Sequence, residues 1–172
     1  MANTNFTIHG LYRDMFRLML KSGSTKRICN DSKDHARILI GELLRSAKSN
    51  VLIFCRHLGN DVWDDANVLF ALREALARGV NFSVLLQIDP EGGTDNRALA
   101  ILKSHNVVVK KTNDDTVQKN FVVVDGRAYR LEEDVKARSG CACANDPTEA
   151  EKLKSEFEAM SETAVAISCE VR

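Results

Sequence analysis

Apolar residues along this chain follow two spacings, one typical of helices and one typical of buried strands. From Ala36 to Ala47 they recur at three- and four-residue steps, which predicts an amphipathic helix capped by Asp31 or Ser32. The uninterrupted apolar run Val51–Cys55 that follows predicts a strand buried on both faces. Further segments of both kinds follow: helices over 68–76, 98–102 and 147–160, and strands over 80–87, 107–110, 120–124, 127–131, 141–143 and 164–168. Gly79 is placed to end the first of these helices in a left-handed conformation, and Asp146 followed by Pro147 is a typical cap and first turn for the last.

The alternation of these elements predicts an α/β fold. Helices interspersed with buried strands favour a mixed, mainly parallel sheet with helices on both faces. Residues 1–30 carry only a loose helical stripe between His9 and Leu20, so we expect a helical N-terminal extension that packs on the domain. Residues 31–172 are then expected to form a single domain, in which the turn pair Asp125-Gly126 closes a β-hairpin.

The composition narrows the classes of function. A chain of 172 residues is long enough to bury one substantial core. The 24 Lys and Arg residues balance the 24 Asp and Glu residues, and this zero net charge disfavours nucleic acid as a partner, because phosphate binding usually requires a basic excess. No apolar run approaches the ~20 residues that span a bilayer, and residues 1–10 lack the features of a secretory signal. We therefore expect a cytoplasmic protein without a membrane partner.

The five cysteines are an odd number and are widely scattered, which favours buried thiols over disulfides. Cys141 and Cys143 are separated by a single residue, so both thiols lie on one face of the predicted strand. Structural zinc sites usually use pairs separated by two to four residues, with a second comparable pair. We therefore expect neither a metal nor another cofactor.

Candidate ligand-binding residues follow from a rule for open α/β sheets, in which ligands bind beyond the carboxyl ends of the strands. The rule selects residues 55–58, 87–89 and the neighbourhood of 118–120. In the first of these segments, Arg56 and His57 could contact an anionic ligand, and His57 could act as a nucleophile. A single histidine at a strand end is more often a surface group, so this hypothesis competes with a purely structural interpretation.

Several segments together resemble the phospholipase D superfamily. A helix ending in Ser46-Ala47-Lys48 precedes a strand, a Leu-Ala-Arg-Gly-Val helix end at 76–80 precedes a second strand, and 119–126 leads into a hairpin. The resemblance spans about residues 32–164 and implies a phospholipase D-like fold. Residues 121–132, followed by Asn145-Asp-Pro, are similar to uncharacterised bacterial phospholipase D-like proteins that lack the catalytic residue pair.

The resemblance also implies that the superfamily's catalytic motif is degenerate in this chain. That motif is His-x-Lys, then four residues and Asp, and alignment on Asp125 places Gln118 at the histidine position and Asn120 at the lysine position. In the superfamily the histidine attacks phosphorus and the lysine stabilises the phosphoryl oxygens, and an amide performs neither task. Asp125 is either a retained site residue or, as the Asp-Gly pair favours, a turn residue.

The Gly-Ser-x-Asn segment that follows the hairpin in the superfamily is replaced by 132–134, Glu-Glu-Asp, which we expect to form a solvated acidic loop that repels a phosphodiester. The resemblance thus implies a catalytically inactive pseudoenzyme that binds or regulates, with Arg56, His57, Gln118 and Asn120 as candidate ligand-binding residues. It also implies a homodimer, because active members with one motif per chain pair two copies across a two-fold axis.

Two alternatives remain open. The first is a diverged phosphodiesterase or nuclease with a rearranged site in which His57 acts beside Gln118, Asn120 and Asp125. The second is an accessory component of a bacterial defence or mobile-element operon, which would bind a protein partner through the acidic segment.

Overall fold

An eight-stranded sheet organises the protein, whose computed structural model describes residues 8–90, 95–114, 116–137 and 139–167. The helices are α1 (Ile8–Ser22), α2 (Lys33–Ser46), α3 (Asn60–Trp63), α4 (Ala66–Ala77), α5 (Arg97–Ser104) and α6 (Pro147–Ser161). The strands are β1 (Arg27–Asn30), β2 (Asn50–Cys55), β3 (Asn81–Leu86), β4 (Val109–Lys111), β5 (Asn120–Val124), β6 (Ala128–Asp134), β7 (Ser139–Cys143) and β8 (Val165–Ala166). Every helix in the described ranges is too short or too polar to cross a bilayer.

The sheet is mixed, as the sequence predicts, with the strand order β1-β7-β6-β5-β2-β3-β4-β8. The expectation that it is mainly parallel was wrong. Only the pairings of β2 with β3 and of β3 with β4 are parallel among the described strands, and the other five are antiparallel. A parallel pair needs a crossover, which α4 and α5 supply, whereas β5, β6 and β7 follow one another through short turns.

Helices cover both faces of the sheet, in agreement with the prediction. On one face α1, α2, α4 and α5 pack on the sheet, and Phe16 of α1 is fully buried there. On the other face α6 contributes Leu153 and Phe157 to a second cluster. Ile53 and Phe54 of β2 point into these two clusters respectively, which explains why this strand is apolar at successive positions.

Several element ends lie where the sequence predicts them because they depend on local hydrogen bonds. The Ser32 hydroxyl accepts a hydrogen bond from the backbone N–H of His35 at 3.1 Å and caps α2. The Asp146 carboxylate accepts one from the backbone N–H of Glu149, also at 3.1 Å, and caps α6. Gly79 follows α4 with a φ of 79°, the left-handed conformation expected at such a helix end.

Arg78 explains the Leu-Ala-Arg-Gly-Val helix end. Its guanidinium donates hydrogen bonds to the carbonyl oxygens of Leu44, Arg45 and Ala47 at 3.0, 3.2 and 3.2 Å. The last carbonyls of a helix have no intrahelical partner, so Arg78 fastens the end of α2 to the end of α4. This part of the phospholipase D resemblance therefore has a structural cause.

The N-terminal segment is not only a helical extension, and that interpretation was wrong for its last residues. Residues Arg27–Asn30 form β1, an edge strand antiparallel to β7. Only Ile28 and Cys29 are apolar in this strand, so the sequence offers too short a pattern to predict it. As a result, the segments before and after position 30 contribute strands to one sheet and helices to one hydrophobic cluster.

Candidate functional site

A cavity of about 220 Å³, termed the Asn120 cavity, lies beyond the carboxyl end of β2. Because β5 runs antiparallel to β2, the first residue of β5 lies at the same edge of the sheet. Residues of α2, β2 and α3 form part of its wall, and Ile40, Cys55 and Trp63 among them belong to the core cluster on the α2 side of the sheet. Its charged and polar lining residues are Ser32, Lys33, Arg56, His57, Asp61, Asn120, Arg130 and Glu132.

The cavity brings together some of the predicted site residues and leaves others apart. Arg56, His57 and Asn120 all line it. Gln118 is exposed and is not among the described residues that form the wall. Asp125 lies past the opposite end of β5, whose rise from Asn120 to Val124 is roughly 13 Å. The motif positions therefore do not converge on one point.

Asn120, at the lysine position of the motif, uses both ends of its amide within the protein. Its Oδ1 accepts a hydrogen bond from the backbone N–H of Arg56 at 2.9 Å. Its Nδ2 donates to Oε2 of Glu132, its direct neighbour on β6, at 2.6 Å. The side chain thus joins the end of β2 to β6.

Glu132 continues this chain of contacts to a buried arginine. Arg130 is 4% exposed; its Nη2 lies 3.5 Å from Oε1 of Glu132, and its Nε donates to Oδ1 of the buried Asn30 at 3.0 Å. On the intervening strand β7, position 140 requires glycine, because a Cβ there would lie 2.2 Å from the carbonyl oxygen of Leu131. Burial lowers the pKa of Arg130, and the Glu132 carboxylate opposes that shift. We call Asn120, Glu132, Arg130 and Asn30 the polar chain.

The interpretation of 132–134 as a solvated acidic loop was wrong for Glu132. Strand β6 continues to Asp134, and the Glu132 side chain is only 12% exposed. Glu133 and Asp134 are exposed. Sequence reasoning missed Arg130 and Glu132 as site residues, although two opposite charges two positions apart on a strand lie on the same face and can form a pair.

Asp125 has a different environment from that of Asn120. Its carboxylate accepts three hydrogen bonds, from the backbone N–H groups of Lys48, Ser49 and Asn50 at 2.9, 2.8 and 3.0 Å. Asp125 and Gly126 have φ values of 51° and 63°, the left-handed pair of a tight hairpin turn. The carboxylate therefore fastens this turn to the segment that joins α2 to β2.

The remaining polar groups of the cavity include one ion pair and one protected thiol. Lys33 of α2 forms an ion pair with Asp61 of α3 at the rim. Burial raises the pKa of the Cys55 thiol far above its usual range, so this thiol stays protonated and is a poor nucleophile. Lys119 lies on the other side of the sheet, where its Nζ contacts Glu156 of α6 at 2.5 Å, and it does not reach the cavity.

One family model matches most of the sequence. It is described as "Domain of unknown function (DUF7931)", and the match covers residues 32–169. The match begins at the cap of α2, so α1 and β1 lie outside it. None of the curated proteins compared with the chain matches it.

Solved structures with the same fold include a phospholipase D family member and a DNA-binding protein. Nuc from Salmonella typhimurium, a phospholipase D family member, matches with a TM-score of 0.57 and 17% identity over 83% of this chain and 97% of Nuc. NucT from Helicobacter pylori matches with a TM-score of 0.63 and 13% identity over 83% of this chain and 99% of NucT. The archaeal chromatin protein TrmBL2, described with a novel mode of DNA binding, matches with a TM-score of 0.59 and 15% identity over 91% of this chain and 62% of TrmBL2.

These likenesses confirm the predicted phospholipase D-like fold. Identities of 13–17% establish the fold alone. The neighbours' descriptions also span enzymes and a chromatin protein, so the chemistry has to be argued from the residues of this chain.

Proposed function

The chain belongs to the DUF7931 family, and we propose that it is a catalytically inactive phospholipase D-like domain that binds a small anionic ligand in the Asn120 cavity without cleaving it. The observation that carries the proposal is the engagement of the Asn120 amide at both ends, by Arg56 and by Glu132. A side chain held in this way stabilises the protein. It also places a neutral amide at the motif position where phosphoryl transfer needs a cation.

The charges that line the cavity support an anion as the ligand. Three cationic residues, Lys33, Arg56 and Arg130, and two acidic residues, Asp61 and Glu132, line the cavity, which gives these five residues a net charge of +1. Lys33 pairs with Asp61 and Arg130 pairs with Glu132, so Arg56 is the cation assigned to the ligand. The Glu132 charge is offset by Arg130 and by the Asn120 amide, so it repels an anion less than an unpaired carboxylate would. Arg56 is exposed and His57 is half-buried, which leaves both accessible to a ligand.

Binding can be tested with bis(4-nitrophenyl) phosphate, a small phosphodiester, titrated into the protein while amide NMR shifts are recorded. We expect shifts at the backbone of 55–58 and 120–122, and at least tenfold weaker binding by Arg56→Ala, because a hydrogen bond to a charged group contributes about 1.5–3 kcal/mol. Arg127→Ala is the matched control, since Arg127 is exposed and follows the turn at the far end of β5. Equal affinities in both variants, or shifts confined to other surfaces, would contradict the proposal.

A diverged phosphodiesterase is the second candidate. The observation that favours it is the presence of His57 in the same cavity as Arg56 and Asn120. An imidazole beside a guanidinium could attack a bound phosphodiester, with the histidine as nucleophile. This candidate requires turnover that depends on His57.

We also propose that the protein is a homodimer. Apolar side chains on α1 that are 43–78% exposed recur at three- and four-residue steps, a narrow stripe of the kind that pairs helices. They are Ile8, Leu11, Met15 and Leu18. Such a stripe is complementary to its own copy across a two-fold axis. Because α1 lies outside residues 32–164, this surface differs from the motif surface through which the family resemblance implies pairing.

Light scattering at micromolar concentration is expected to give twice the 19.1 kDa mass of the chain. The double variant Leu11→Glu/Leu18→Glu is expected to be monomeric, whereas Phe70→Glu, at an exposed apolar side chain on α4, is expected to leave the dimer intact. A monomeric mass for the wild-type protein would contradict the dimer.

A further inference from the structure

Two cysteines that are far apart in the sequence lie opposite each other in the sheet. In the antiparallel register of β1 and β7, Cys29 is the direct partner of Cys141. Directly opposite residues in an antiparallel pair have Cα atoms about 4.5–5.5 Å apart, and their side chains lie on the same face. A disulfide requires Cα atoms about 4.4–6.8 Å apart, so this register meets the geometric requirement.

The two thiols are also accessible. Their neighbours Ile28 and Ala142 point to the face that α2 covers, so Cys29 and Cys141 point to the face that α6 covers. Cys29 is exposed and Cys141 is half-buried, and both are free thiols. Cys55 and Cys143, by contrast, are buried. The pair on β1 and β7 is thus the accessible pair among the described cysteines.

We propose that Cys29 and Cys141 form a reversible disulfide by exchange with a low-molecular-weight disulfide such as glutathione disulfide. The Cys29 thiolate attacks one sulfur of the small disulfide and releases one small thiol, which leaves a mixed disulfide on Cys29. The Cys141 thiolate then attacks Sγ of Cys29 and releases the second small thiol. The two protein thiols lose two electrons and two protons in total, and the small disulfide is reduced to two thiols.

The order of attack follows from the environments of the two cysteines. Burial raises the pKa of Cys141, so a smaller fraction of this thiol is ionised at neutral pH. Cys29 is the more exposed thiol and therefore meets the small disulfide first. Cys141 is the resolving residue, which reacts once the mixed disulfide lies directly opposite it.

The crosslink would fix an edge of the Asn120 cavity. Asn30, next to Cys29, accepts the hydrogen bond from Arg130, and Ser32 and Lys33 of the cavity wall follow directly in the sequence. An edge strand of four residues is held by few backbone hydrogen bonds, and a covalent bond to β7 would hold it for as long as the disulfide is present. Oxidation is therefore expected to stabilise the cavity wall. This effect does not depend on whether the cavity binds the proposed anionic ligand.

The test treats the folded, reduced protein with glutathione disulfide and maps the products by mass spectrometry under non-reducing conditions. We expect the loss of two of the five thiols and one crosslinked peptide pair that joins Cys29 to Cys141. We also expect a higher urea midpoint for the oxidised protein, which returns to the starting value after reduction.

Three variants serve as controls. Cys141→Ser should give no crosslink and should retain glutathione on Cys29. Cys29→Ser should give no crosslink and little glutathione on Cys141, because the half-buried Cys141 thiol has a raised pKa and does not start the exchange. Cys143→Ser, which removes the next thiol along β7, should form the same crosslink as the wild-type protein. A crosslink from Cys29 to any other cysteine, independent glutathionylation of both residues in the wild-type protein, or no reaction of the folded protein would overturn the proposal.

Discussion

Replacement of Asp125 by alanine is expected to reduce the free energy of unfolding by about 3 kcal/mol, because three backbone N–H groups lose a charged acceptor and a non-glycine residue must hold a positive φ without a polar side chain. The lost hydrogen bonds are those to Lys48, Ser49 and Asn50. Urea denaturation followed by circular dichroism measures the loss. Ligand affinity at the Asn120 cavity is expected to be unchanged where the variant is folded.

Asp125→Asn is the conservative control for this prediction. Asparagine tolerates the left-handed conformation that Asp125 adopts and retains one acceptor oxygen, so it should lose about half as much stability as alanine. If Asp125→Ala were as stable as the wild-type protein but bound the phosphodiester more weakly, Asp125 would belong to the binding site and the structural role assigned to it would be wrong.

Replacement of Arg130 by methionine is expected to cost a similar amount, about 3 kcal/mol, because breaking a buried ion pair leaves its partner uncompensated. The variant removes the hydrogen bond to Asn30 and the contact with Glu132, while the methionine fills most of the arginine volume. Urea denaturation again provides the measurement. Arg127→Ala, an exposed arginine on the same hairpin, should change stability by less than about 0.5 kcal/mol.

A double variant separates the unpaired charge from the lost packing. In Arg130→Met/Glu132→Gln the glutamine still accepts from Asn120 but carries no charge, so we expect the pair of substitutions to be more stable than Arg130→Met alone by about 1 kcal/mol. A double variant that is less stable than either single variant would contradict the assignment of Glu132 as the partner of Arg130.

Local patterns predict much of this fold. The helix cap at Ser32, the Asp146 cap and the Asp125-Gly126 turn each depend on residues within three or four positions, and the structure has all three where the sequence indicates. The Val51–Cys55 strand is equally easy to predict, because its uninterrupted apolar run is longer than the apolar runs of surface segments. Strand direction is harder to predict, because an apolar run does not indicate it. The apolar runs of β2 and β5 look alike although the two strands are antiparallel.

The features that sequence reasoning missed depend on which strands become neighbours. The hydrogen bond from Arg130 to Asn30 joins residues 100 positions apart, and no local spacing indicates that contact. The pairing of Cys29 with Cys141 depends in the same way on β1, a strand too short to be predicted. The sequence therefore indicates Asn120 only as a motif position and Glu132 only as part of an acidic loop, without the contact between them.

The polar chain also gives a physical account of the proposed loss of catalysis. Asn120 forms hydrogen bonds with Glu132 and with the backbone of Arg56, and Glu132 forms an ion pair with the buried Arg130. A lysine introduced at position 120 alone would lack the acceptor role toward Arg56, so a single Asn120→Lys change is not expected to produce a working site.

Whether the domain binds without cleaving is tested most directly by the release of 4-nitrophenolate from bis(4-nitrophenyl) phosphate, measured with wild-type protein and with His57→Ala at saturating phosphodiester. Single-stranded DNA and RNA serve as additional substrates under the same conditions. We expect both proteins to release product no faster than buffer. Release by the wild-type protein that exceeds the buffer rate and disappears in His57→Ala would contradict the proposed function and establish a phosphodiesterase that uses His57.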